Sequence, residues 1–100
     1  MTTYRPLPDF LEIRESSIEG QGLFSRTVIE SNINLGVSHV RNINFENDRI
    51  RTPLGGFVNH SDNPNCHFMR VGDCWYMYTL KDIMPDEELT VMYSLYSVKN

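Results

Sequence analysis

From His67 to Leu80 the chain reads HFMRVGDCWYMYTL, with β-branched and aromatic residues on both sides of a Gly72-Asp73 pair. A glycine between two such runs marks a hairpin, because the turn asks for backbone angles that a side chain resists while the flanks suit a pleated surface. The turn puts Cys66 and Cys74 at unlike heights, where they cannot reach one another. They are the chain's two cysteines, too few for a disulfide framework or for a zinc site of their own. Both are expected as free thiols in a reducing cytoplasm, and no bound metal is expected.

The other strand signals are equally short. Phe10-Leu11-Glu12-Ile13 alternates apolar and polar, as a half-buried strand does. Ile33, Leu35 and Val37 share one face of a second alternating run, interrupted by Gly36, and a glycine there signals a bulge or a close backbone approach. IMPDEELTVMY, Ile83 to Tyr93, turns around Pro85-Asp86 and continues as a strand through Leu89–Tyr93. No segment carries the periodicity of a three-turn helix. The polar stretch from Arg41 to Thr52, with Asn42, Asn44, Asn47 and Asp48, reads as a loop anchored by Phe45 or Ile50. Many short strands with long connections predict an all-β fold of small sheets, organised as one unit over residues 1–100.

At 40 % hydrophobic and 22 % charged residues the chain can bury a core, which argues against disorder. Thirteen acids stand against nine bases, for a formal charge of −4, and the bases form no run. Direct nucleic-acid binding is therefore not expected. Neither a basic segment leading into an apolar one nor a stretch of roughly 20 apolar residues occurs, so no membrane partner is expected either.

Several clusters could carry chemistry. Gly20 and Gly22 flank Gln21 and leave backbone groups unshielded for a ligand; equally, they could merely join two strands. No helix follows, which argues against a dinucleotide phosphate site. Asn59-His60-Ser61 and Asn63-Pro64-Asn65 could be turn chemistry. Asp86-Glu87-Glu88 could be a solvated acidic turn, and Tyr76, Tyr78, Tyr93 and Tyr96 core or rim aromatics. His60, Cys66 and His67 make a poor metal set, because adjacent strand residues point to opposite faces. Nothing positions a third group to orient a cysteine–histidine pair.

Three of these segments, EGQGLFS, NHSDNPNC and DEELTVMY, occur in an order that resembles the signature of the SET domain, the fold of most protein lysine methyltransferases. The resemblance runs from about Ile13 to Tyr93. It implies small curved sheets with a C-terminal segment threaded, pseudoknot-like, beneath the Asn-His loop, an exception to the rule against threaded connections. It also implies an S-adenosylmethionine-dependent lysine N-methyltransferase acting on a protein or peptide with an accessible lysine. Gly20, Gln21 and Gly22 would lie along the methionine part of the cofactor. Asn59 would hold its amino-acid end and the backbone of His60 its adenine edge. Glu88-Leu89-Thr90 and Tyr93 would come up against Asn59, with Pro64 and Asn65 shaping the threaded loop. Tyr93 would be catalytic. Larger members build one wall of the substrate groove from an insert that is reduced here to Arg41–Thr52. Seven residues follow Tyr93, which leaves Tyr96 as the one aromatic to cover the lysine channel; either a second subunit in a homodimer would close the site or turnover would be slow. Two other readings stand beside this one: a SET-fold module that binds cofactor or peptide without methyl transfer, and an interaction protein with no ligand.

Overall fold

The structure is a computed structural model that describes residues 7–42, 44 and 49–92. Its elements are β1 (Leu11–Glu15), β2 (Gln21–Ser25), β3 (Asn34–Arg41), β4 (Arg49–Arg51), α1 (Pro53–Phe57), β5 (Asn59–His60), β6 (Cys66–Val71), β7 (Cys74–Thr79) and β8 (Glu88–Val91). They form two four-stranded sheets, in the orders β1-β2-β8-β5 and β4-β3-β7-β6. All neighbours are antiparallel except β5 and β8, which run parallel. The all-β expectation holds, since the single helix of the described residues is five residues long. None of these residues forms a helix long and apolar enough to cross a membrane.

The β6–β7 hairpin turns where the sequence places it. Val71 pairs with Cys74, Cys66 pairs with Thr79 at the far end, and Gly72 takes φ +62°. The two cysteines are accordingly free. Burial, with a smaller push from the Glu87 carboxylate, raises the Cys66 thiol to about 12, so its reactive thiolate is suppressed.

Gly36 also behaves as the sequence predicts. It takes φ +127° beside a register shift between Asn34 and Gly36. A second shift, between Val37 and His39, is not visible in the sequence. Together the shifts break the expected shared face: Leu35 is buried, Val37 half-buried and Ile33 exposed. The second turns consecutive residues inward, so that Ser38 and His39 are both buried.

The Arg41–Thr52 segment departs from the loop expected of it. Arg41 closes β3, and Arg49–Arg51 returns as β4 against His39–Arg41. Ile50 is half-buried there, while Phe45 lies outside the described residues. Thr52 then caps α1, its hydroxyl accepting from Gly55 N at 3.4 Å and donating to Val37 O at 2.7 Å, with Pro53 opening the helix.

The core lies between the sheets, around Leu23, Met77, Ile83 and Leu89, all without accessible surface. His39 sits edge-on to Phe68 and Trp75, with centroids 5.1 and 6.2 Å away. Arg49 and Arg70 each stand 4.9 Å from the Trp75 ring centroid.

Gly55 is where the α1 backbone packs tightly against β3. A Cβ there would lie 2.3 Å from Ser38 O and 2.9 Å from His39 Cε1, whereas at Gly56 the nearest atom is 4.0 Å away. Gly55→Ala should cost about 2 kcal/mol by overpacking. Gly56→Ala should be neutral or stabilising by up to about 1 kcal/mol, since alanine is the better helix former. Urea unfolding of the two variants separates close packing from helix propensity, and equal effects would count against the contact.

Candidate active site

The β1–β2 connection is held by its own polar groups. Ser16 N donates to Gly20 O at 2.7 Å, Ser16 Oγ accepts from Ile18 N at 2.9 Å, and Gly20 takes φ +49°. Gln21 and Gly22 open β2, so the Gly-x-Gly segment is part turn and part strand. A Cβ at Gly20 would meet nothing within 4 Å, so this backbone borders open space, and the Gln21 side chain is exposed.

Asn59 ties this turn to β8. Its Nδ2 lies 2.9 Å from Glu88 Oε2, 3.1 Å from Ser16 Oγ, 3.1 Å from Glu19 O and 3.4 Å from Gln21 O. Two amide hydrogens thus face four acceptors. Ser16 Oγ stands 2.9 Å from each oxygen of Glu88 and donates to that carboxylate. Gly22 makes this possible, because a Cβ there would lie 2.2 Å from Glu88 Oε2. The second glycine of the motif therefore serves an approach by the protein's own carboxylate.

The parallel pairing of β5 with β8 sets Asn59 opposite Thr90 and His60 opposite Val91. Ser61 N extends it to Val91 O at 2.9 Å. The His60 side chain is exposed, with Nε2 3.1 Å from Asp62 Oδ1. Asn65 holds β8 from another side: its Nδ2 donates to Glu88 O and its Oδ1 accepts from Thr90 N, both at 2.8 Å. Of the segment expected against Asn59, Glu88 and Thr90 meet it, and Asn65, one of the two residues expected to shape the loop, ties down the same strand. The acidic turn is less solvated than its composition suggests. Glu87 accepts from Met84 N and Asn65 Nδ2, Glu88 is half-buried, and Asp86 alone of the three is exposed, paired with Arg14 at 2.7 Å.

Tyr93 and Tyr96 lie outside the described residues. Tyr76 and Tyr78 are half-buried on β7, which makes them rim aromatics. No cluster of three or more potential metal ligands occurs among the described residues.

Sequence reasoning missed the part played by Ser16 and by the Glu88 carboxylate. A hydroxyl four residues ahead of a turn glycine is a signal for the first. For the second, the resemblance brings Glu88-Leu89-Thr90 up against Asn59 but does not single out the carboxylate, which meets the amide across 29 positions through the β2–β8–β5 order.

The SET domain family model matches residues 10–94, and the chain belongs to that family. Among solved structures, a Plasmodium falciparum protein described as a candidate histone methyltransferase superposes with a TM-score of 0.70 at 20 % identity, over 88 % of this chain and 96 % of its own. The methyltransferase domain of human PR domain-containing protein 2 follows with a TM-score of 0.67 at 18 % identity, over 85 % of this chain and 77 % of its own. At such identities these likenesses establish the shared fold. A search of curated proteins finds none that matches.

Proposed function

We propose that the chain is an S-adenosylmethionine-dependent methyltransferase that methylates a lysine side chain of a protein or peptide. The observation that carries this reading is the convergence at Asn59: one side-chain amide joins the Gly-x-Gly turn to β8, although the three segments lie far apart in sequence. Family membership supplies the class of reaction.

The residues present fit the cofactor. With Asn59 Nδ2 turned to four protein acceptors, Oδ1 remains as an acceptor that no described residue contacts. It suits the α-ammonium of an amino acid. The open space beside Gly20 gives room for the methionine part against the Gly20–Gly22 backbone, and the His60 backbone would take the adenine edge. When bound, the cofactor supplies a methyl group on a sulfonium, which a neutral amine displaces in line.

The protein's task is then to hold that amine neutral and aligned. A free lysine has a pKa of about 10.4, and burial beside a cation lowers it. Alignment removes much of the entropic barrier. Tyr93, two positions beyond the end of β8 in the sequence, is assigned to orient the amine through its hydroxyl, and Tyr96 to line the lysine channel.

The test is incubation of the protein with methyl-labelled cofactor and a proteome extract, beside Tyr93→Phe. The wild type should transfer label to lysine. The variant should lose activity by about 100-fold, typical of removing one positioned hydroxyl donor. Cofactor binding by both with transfer by neither would replace the enzyme with a binding module.

A further inference from the structure

Asn59 offers a ligand only one atom, and which atom that is depends on its neighbours. An asparagine amide can be turned over at little intrinsic cost, exchanging its oxygen and its nitrogen. Here the exchange is opposed by four acceptors on one side of the group. Two are backbone carbonyls, Glu19 O at 3.1 Å and Gln21 O at 3.4 Å. The other two are the hydroxyl of Ser16 at 3.1 Å and the carboxylate of Glu88 at 2.9 Å. Reversal would bring Oδ1 against two carbonyls and a carboxylate, oxygen facing oxygen. Nδ2 therefore faces the protein. No described buried side-chain oxygen lacks a partner, so Oδ1, which has none among the described residues, is not fully buried.

Glu88 makes the shortest of these contacts and carries the only charge among them. Charge-assisted hydrogen bonds are about twice as strong as neutral ones. Its own position is fixed by Ser16 Oγ, 2.9 Å from both carboxylate oxygens, and by the missing side chain at Gly22. Ser16 is in turn held by the turn's backbone, through Ile18 N. A chain of fixed groups thus runs from the β1–β2 turn through Ser16 and Glu88 to the amide of Asn59.

We propose that Glu88 and Ser16 are positioning residues that fix the Asn59 amide with Oδ1 outward, where it receives the α-ammonium of the cofactor. This rests on the cofactor reading given above and extends it to two residues that need not touch the ligand. Their influence is confined to the amino-acid end. The adenine edge is assigned to the backbone of His60, which is not among the groups that Asn59 Nδ2 and Ser16 Oγ contact.

The experiment compares two ligands by calorimetry: S-adenosylhomocysteine, which carries the amino-acid end, and 5′-methylthioadenosine, which lacks it. In Glu88→Ala the Kd for S-adenosylhomocysteine should rise about tenfold, the scale of one hydrogen bond to a charged group. The Kd for 5′-methylthioadenosine should stay within about twofold, because the amide does not reach that ligand. Ser16→Ala should shift the same ratio by about threefold. Glu88→Gln keeps an acceptor for Asn59 and should largely restore the wild-type ratio. A merely structural loss would weaken both ligands together. If Glu88→Ala does not fold, Ser16→Ala decides. A ratio unchanged in the folded variants overturns this proposal and leaves the cofactor reading standing. Failure of the wild type to bind S-adenosylhomocysteine overturns both.

Discussion

Asn65→Ala is expected to lower the melting temperature by about 20 °C, a loss of about 4 kcal/mol in a chain of this size. Asn65 is 6 % exposed and its side chain serves two backbone groups of β8, accepting from Thr90 N and donating to Glu88 O. It also donates to the Glu87 carboxylate at 3.2 Å. Removing the amide takes these partners from the buried N–H of Thr90 and the half-buried C=O of Glu88, at roughly 1–3 kcal/mol for each group left unsatisfied. The damage concentrates on a strand that has only two strand neighbours in its sheet, one of them the two-residue β5. Asn63→Ala is the control. Asn63 is exposed and hydrogen-bonds Ser61 Oγ through its backbone N–H, so the loss of its side chain should stay within about 0.5 kcal/mol. Thermal melts followed by circular dichroism distinguish the two. Equal melting would mean that both asparagines are ordinary turn residues and that β8 is held by its ladders alone.

The contrast between Asn63 and Asn65 shows what could be read from the sequence. Both belong to a segment whose composition says turn, and local chemistry cannot tell which amide faces β8. The resemblance to the SET signature implied only that the last segment returns to the second, with Pro64 and Asn65 shaping the loop. The hairpin at Gly72 and the bulge at Gly36 were legible for a simpler reason: each is a local backbone requirement met by a residue without a side chain. β4 was not legible. Its Arg-Ile-Arg sequence is three residues at a sheet edge, and its pairing with β3 is a tertiary fact. The five residues of α1, two of them glycine, carry almost no helix propensity, and a cap and a proline at its start set it instead. At the site, Gly20, Gly22 and Asn59 stand out only through the resemblance, since alone they read as turn residues. Glu88 was hidden among acids because its role depends on which of them the strand turns toward Gly22.

His39 escaped notice altogether, and it yields the second large effect. Ser38 Oγ donates its one hydrogen to Trp75 O at 3.1 Å, so the 2.9 Å contact with His39 Nδ1 must be a hydrogen bond donated by the imidazole. The ring is neutral, 1 % exposed, and packed edge-on against Phe68 and Trp75. Burial, reinforced by the positive charges of Arg49 and Arg51, lowers its pKa from 6.5 to about 4. The unfolded chain therefore binds a proton that the folded chain refuses throughout that interval. Stability from this residue is complete above pH 6.5 and falls as the pH drops toward 4, by about 3 kcal/mol in all. Between pH 6 and 5 the slope should approach about 1.4 kcal/mol per pH unit, the value for one proton. Urea unfolding at half-unit steps from pH 7 to 5 measures it, in a range above the ordinary carboxylate pKa values. His39→Gln, which can still donate to Ser38 but cannot titrate, should be less stable at pH 7 and lose that one-proton slope. If the slope survives the substitution, the proton is taken up elsewhere and His39 is not the group that makes this core sensitive to acid.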